Sequence, residues 1–376
     1  MNFFQKALAF FEEAVYNHNI IVMPTATRGG IFRRGIMKKT LSLILAVLMA
    51  LASLASFAGC GNATYIIETG SETGTYYGYT SMIATTLNDK ANLGYTLSSV
   101  ASKGSKGNIQ DIAAGKCEFA IVQNDVMSYA YGGTTSMFDG KVIDSFGVVG
   151  VVYQETVQIV GKKSLDANGD GVVTVDELKG KRVSIGEAGS GVTINAKQVF
   201  ESAGMKLDLT DTSDASKNDV VVSYYSVKDS CDKMKDGEID AFFFTAGVPT
   251  SGITELIKTT ADVAIVTLTK EQADSLVNAA NSFYTSTTLT HDIYECIDAD
   301  KPVTAVAVSA TYIAASSLSE DAVYAFTKGL WENVENYGAY AAQVAAMKAE
   351  NAVKALGGVP LHAGAAKYYK EKGIID

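Results

Sequence analysis

Ten short runs rich in β-branched and aromatic residues recur along the chain, at 65–68, 95–100, 119–123, 146–152, 157–160, 182–185, 220–225, 241–245, 263–268 and 303–309. Their length and composition predict strands. Between most of them, apolar residues follow helical spacing, at 76–90, 106–114, 192–203, 230–236, 271–280 and 320–335. The alternation predicts parallel sheets covered by helices, an α/β fold. Ten strands within about 245 residues are too many for one small sheet and predict two lobes. No repeat or low-complexity tether separates them, so strands are expected to join the lobes. The last third, 319–369, reads as nearly all helical.

One stretch has a different pattern. Residues 41–58 are an unbroken run of apolar or small side chains, preceded by Lys38 and Lys39, which is the layout of a secretory signal peptide. Phe57-Ala58-Gly59-Cys60 resembles the bacterial lipobox, in which cleavage precedes a Cys that then carries diacylglycerol. Phe57 departs from the usual Leu. The alternative is a single membrane-spanning helix with Cys60 incidental, but no positively charged stop signal follows the run. Residues 1–36 make little sense ahead of a signal, so Met37 is expected to be the true start and 1–36 an over-called start, a genuine N-terminal extension being the alternative. The expected organisation is a lipoprotein signal peptide over 37–59, lobe one over 60–155, lobe two over 156–300, and a return to lobe one with C-terminal helices over 301–376. The expected location is extracytoplasmic, lipid-anchored to the cell membrane.

The cut changes the charge. The 376 residues carry 31 Lys+Arg against 41 Asp+Glu, a net −10. Removing 1–59 takes six basic and two acidic residues, leaving 25 against 39, a net −14. Such acidity argues against nucleic acid and against a polybasic membrane patch. Four Cys in this length are no disulfide framework. With Cys60 as the anchor, Cys117, Cys231 and Cys296 read as free, mostly buried small hydrophobes, though a Cys117–Cys231 or Cys231–Cys296 bridge stays open.

Candidate chemistry sits at two strand-to-helix junctions. In the first, Gly70-Ser71-Glu72-Thr73-Gly74-Thr75 leads into a helix near Tyr76; in the second, Gly189-Ser190-Gly191 follows the strand at 182–185. Gly permits close backbone approach, Ser and Thr supply hydroxyls, and the free N–H groups of a first helical turn favour a carboxylate or phosphate. Such sites lie at the carboxyl ends of strands in open α/β sheets. Taken singly, each loop is equally an ordinary turn before a capped helix; as a pair they predict one cleft. Gly189-x-Gly191 lacks the third Gly of a dinucleotide fingerprint and no phosphate-loop motif occurs, which excludes nucleotide binding as the leading reading.

The chain resembles the TAXI solute receptors of TRAP transporters. The resemblance rests on 69–77 (TGSETGTYY), 115–126 (GKCEFAIVQNDV), 153–160 (YQETVQIV), 178–186 (LKGKRVSIG), 189–192 (GSGV), 235–249 (KDGEIDAFFFTAGVP), 321–328 (DAVYAFTK) and 360–369 (PLHAGAAKYY), and spans 64–372 in order. It implies a type II periplasmic-binding-protein fold, two α/β lobes closing on a small ligand. It further implies delivery of glutamate, glutamine or a dicarboxylate to a TRAP permease. By position, Thr73, Gly74, Thr75 and Tyr76 line the cleft from lobe one, with Gln123 and Asp125 ending a strand there. Ser190, Gly191 and Val192 face them, and Thr245, Ala246 and Gly247 close the far wall. Gln123 and Asp125 are read as taking an amide or ammonium, with a helix cap as the alternative for Asp125. Lys103 departs from the family's Gly-Gly-Ser turn and is read as facing solvent, the alternative being a cation near an anionic ligand. Tyr76, Tyr77, Tyr224, Tyr225, Phe242, Phe243, Phe244 and Tyr284 are candidates for the cleft walls, though most of them read as core.

A separate motif lies in lobe two. Residues 166–177 fit D-x-[DN]-x-[DN]-G-x5-E, with Asp166, Asn168, Asp170, the Val172 carbonyl, Thr174 and Glu177 as ligands, and predict a structural Ca2+. The alternative is an Asp/Gly-rich turn that binds nothing. Neither His291 nor His362 lies in a nucleophile motif, and there is no GxSxG or HExxH. The chain is therefore not read as an enzyme. The rival to a TRAP receptor is a binding protein serving an ABC importer or a membrane sensor.

Overall fold

The computed structural model describes residues 63–376. The signal peptide, Cys60 and the upstream stretch 1–36 lie outside the described residues. The strands are β1 (Thr64–Glu68), β2 (Thr96–Val100), β3 (Phe119–Gln123), β4 (Phe146–Gly161), β5 (Arg182–Ser184), β6 (Val221–Ser223), β7 (Ala241–Ala246), β8 (Ala264–Ile265), β9 (Thr285–Leu289) and β10 (Val303–Ala315). The helices are α1 (Thr75–Lys90), α2 (Ser105–Ala113), α3 (Asn124–Gly132), α4 (Val192–Ser202), α5 (Val227–Lys235), α6 (Ser251–Thr259), α7 (Lys270–Val277), α8 (Glu320–Glu332), α9 (Ala341–Ala346) and α10 (Ala363–Glu371).

The sheet is continuous, mixed and ten-stranded, in the order β2-β1-β3-β10-β4-β7-β5-β6, with β8 on β4 and β9 on β10. This corrects the expectation of separate parallel sheets. β1, β2 and β3 are mutually parallel at one end and β5, β6 and β7 at the other. The long central strands β4 and β10 run antiparallel to each other and to their flanking strands β7 and β3. Because β4 continues through Tyr153-Gln154-Glu155-Thr156, the two runs expected at 146–152 and 157–160 are one strand. These two strands join the halves.

Each half buries both faces of its sheet. In the first, Tyr79, Leu87, Phe326 and Tyr368 from α1, α8 and α10 cover one side. Ile109, Ile112, Val126 and Met127 from α2 and α3 cover the other. In the second half, Phe200, Ala273 and Leu276 from α4 and α7 oppose Cys231, Ile253 and Leu256 from α5 and α6. Helices on both faces explain why the strands read as nearly continuous hydrophobic runs. The C-terminal third is only partly α-helical: short 3-10 turns at Val334–Asn336 and Ala349–Asn351 and irregular chain connect α8, α9 and α10. Among the described residues, no helix is long and apolar enough to cross a membrane. Cys117 and Cys231 are buried, Cys296 is half-buried, and all three are free.

Candidate functional site

In both halves the carboxyl ends of the parallel strands feed loops into one narrow cleft of about 60 Å³. β1 leads through Gly70 and Ser71 to α1, β2 through Lys103 and Gly104 to α2, and β3 through Gln123 to α3. From the other half, β5 leads through Gly186, Glu187 and Ser190 to α4, and β6 through Tyr225 and Ser226 to α5.

Three of these helices begin on Gly: Gly74 before α1, Gly104 before α2 and Gly191 before α4, each without a side-chain cap. The N–H groups of Thr75, Tyr76, Ser105, Gly191 and Val192 have no protein acceptor among the described residues. Unsatisfied first-turn donors and the positive end of the helix dipole make an anion-favouring wall. Gly104, at φ +93°, approaches the opposite half, where an added Cβ would lie 3.5 Å from that of Ser190. Gly191 is closer still: a Cβ there would meet Gln123 Oε1 at 1.5 Å.

The halves touch through hydrogen bonds. Gly107 N donates to Gly189 O (3.2 Å), and Thr75 Oγ1 donates to Gly247 O (3.2 Å). Gln123 Nε2 and Thr245 Oγ1 both donate to Asn195 Oδ1, at 2.6 and 2.9 Å. Asn195 Nδ2 in turn donates to Asp125 Oδ2 (3.0 Å) and faces the Tyr284 hydroxyl (2.9 Å).

Of the residues expected at the site, Gly74, Thr75, Tyr76, Gln123, Ser190, Gly191, Val192, Thr245 and Ala246 line the cleft together. Three do not. Asp125 is fully buried in the first turn of α3, turned to Asn195 and to Val126 N (2.9 Å); burial pushes its carboxyl up to about 6. Thr73 stands outside the wall, its carbonyl accepting from Ser251 Oγ at 3.4 Å. Gly247 lies behind, its carbonyl taken by Thr75 and Thr250.

The cleft also holds residues that sequence reasoning missed. Ser105, Gly186, Ser226 and Val227 line it, and of the aromatic candidates for its walls Tyr225 and Phe244 join Tyr76 there. Lys103, although exposed, forms part of the wall, and its charge opposes the burial that raises the Glu187 carboxyl. The most consequential is Glu155, 1% exposed in the middle of β4. Its Oε2 accepts from the Tyr76 hydroxyl at 2.6 Å. Burial pushes its carboxyl up to about 8, the Tyr76 hydrogen bond opposing and Asp125 adding to the rise. An acidic residue inside a hydrophobic strand was the one signal available for it.

In the loop over 166–177, Asp166 accepts from the N–H groups of Gly169 and Gly171, both at 2.7 Å. Asn168 and Asp170 accept from Asp170 N and Val172 N. Glu177 accepts from Ala167 N and Thr174 N, both at 2.8 Å, and Lys301 Nζ donates to the Asp170 carbonyl (2.5 Å). Among the described residues, no three His, Cys, Asp or Glu side chains converge as a metal group. His362 caps α10, its Nδ1 accepting from Gly364 N.

A family model described as the NMT1-like family matches residues 67–373. Among solved structures, the substrate-binding protein of an amino acid ABC transporter is 15% identical, with a TM-score of 0.41, covering 75% of this chain and 97% of that one. The periplasmic aliphatic sulphonate binding protein SsuA from Escherichia coli is 15% identical, with a TM-score of 0.42, covering 83% and 84%. The ArgBP of T. maritima is 12% identical, with a TM-score of 0.39, covering 72% and 90%.

Proposed function

The chain belongs to the NMT1-like family, and from that premise we propose that it is a solute-binding protein whose two halves close on a small carboxylate ligand. The observation that carries the reading is the convergence of three uncapped helix N-termini on one cleft between the halves. A ligand carboxylate there accepts from the N–H groups of Thr75, Tyr76, Ser105 and Val192, which otherwise have no partner among the described residues. Local dipoles, not net charge, attract it, so a body at −14 is no obstacle. In keeping with the TAXI resemblance, the ligand class is glutamate, glutamine or a dicarboxylate, and the partner is a TRAP permease. Cys60 is the lipid anchor on the outer side of the membrane.

A thermal-shift screen over carboxylates, amino acids and sugars tests the binding role. At a concentration 100 times Kd, a true ligand adds about 2.7 kcal/mol of stability; no shift with any carboxylate or amino acid removes the reading. For the anchor, Cys60→Ala is expected to move the protein from the membrane fraction to the soluble one, and retention in membranes removes it.

We propose separately that the loop over 166–177 takes a structural Ca2+. Support comes from the donor set and its order. Each carboxylate oxygen has more than one lone pair, so accepting a loop N–H leaves capacity for an ion.

A further inference from the structure

Glu155 is a group that a pure carboxylate site does not need. It lines the same cleft as the three helix N-termini, yet it is an acid in a strand flanked by β10 and β7. One oxygen accepts from the Tyr76 hydroxyl at 2.6 Å; the other has no hydrogen-bond partner among the described residues. Tyr76 ties the two kinds of wall together, since its own N–H is one of the unpartnered donors at the start of α1. A carboxylate buried this far must either hold a proton or meet a cation.

Building on the solute-binding reading, we infer that the ligand is an α-amino acid zwitterion, with its carboxylate at the helix N-termini and its ammonium on the free oxygen of Glu155. The groups around Glu155 leave that role open. Tyr76 on α1 and Tyr153 on β4 are neutral phenols, and Asp125 on α3 is another acid. Across the cleft, Glu187 is acidic, and Lys103 is the sole cation among the lining residues. Lys103 is exposed and acts on Glu187. A dicarboxylate lacking an amine can only accept the proton that Glu155 already holds, whereas an ammonium draws out its carboxylate form.

The inference has a protonic signature. With burial pushing Glu155 up to about 8, the acid of the empty cleft holds a proton at neutral pH. An arriving ammonium ion-pairs with the carboxylate, and the displaced proton passes to buffer. Ligands without the amine release none.

The test titrates the full chain with the L-amino acids that shift its melting temperature, and with their deamino counterparts, glutarate for glutamate and propionate for alanine. Calorimetry in two buffers of different ionisation heat supplies the proton count. The expected result is amino-acid binding about 100-fold tighter than the counterpart, with release of up to one proton near pH 7. In Glu155→Gln, amino-acid affinity is expected to fall by about the same factor and proton release to vanish, while the counterpart binds no worse. A purely structural role for Glu155 would instead weaken both ligands alike and overturn the inference. Equal binding of amino acid and counterpart by the unaltered protein overturns it without recourse to any variant. If neither class binds the unaltered protein, the solute-binding reading fails with it.

Discussion

At Gly191 an added Cβ would sit 2.6 Å from Gln123 Cδ and 2.8 Å from Val126 Cγ2, both across the cleft. Gly191→Ala is therefore expected to hold the halves apart, weakening ligand binding by at least about 10-fold with little change in the melting temperature of the free protein. Unchanged affinity would show that ligand capture does not need this approach. Gly191 was legible because Gly between a strand and a helix has few uses. Glu155 was not, since a lone Glu between Gln154 and Thr156 reads as a break between two strands. Its burial is decided by β10 and β7, far away in sequence. Asp125 misled for the opposite reason: a polar residue just after a strand suggests the cleft, but the first turn of α3 rotates it towards Asn195. Tyr225 and Phe244 stayed open between wall and core because an aromatic ring looks the same in sequence whether it packs inward or walls a cleft.

Among the elements, β3 was readable to the residue, and α1, α2, α4 and α8 nearly so, because each carries an uninterrupted pattern with a Gly or Ser before it. α6 was not, as Pro249, Thr250, Ser251 and Gly252 give its start the composition of a turn. β9 was missed because it is mostly Thr and Ser and largely exposed, an edge strand beside β10. The loop over 166–177 is the reverse case, an element defined by a motif more than by packing. If it holds Ca2+, chelation is expected to lower the melting temperature by several degrees, and Asp170→Ala to abolish that response. Identical melting with and without chelator would leave it a hydrogen-bonded turn, held by Asp166 and Glu177.

For the whole molecule, several buried carboxyls give the free protein an unusual pH profile. Burial raises Glu155 from 4.5 to about 8, Glu68 from 4.5 to about 7 and Asp125 from 3.8 to about 6. Each therefore binds a proton more readily folded than unfolded. Its contribution to stability is fully present below about pH 4 and is lost as the pH rises through 6 to 8. Asp240 works the other way: the Arg182 guanidinium, followed by the Arg182 N–H and the Lys162 ammonium, holds its carboxyl well below the usual range. That contribution is present at neutral pH and is lost only in strong acid. The melting temperature of the ligand-free protein is thus expected to be highest near about pH 5 and to fall by roughly 5 °C on reaching about pH 8.5. Glu155→Gln removes the group with the highest of these values, so the slope above about pH 7 should flatten in that variant. A Glu155→Gln profile that keeps the same slope above about pH 7 as the unaltered protein would mean that Glu155 reaches solvent in the free state. The closed cleft would then be a conformation that the empty protein does not hold.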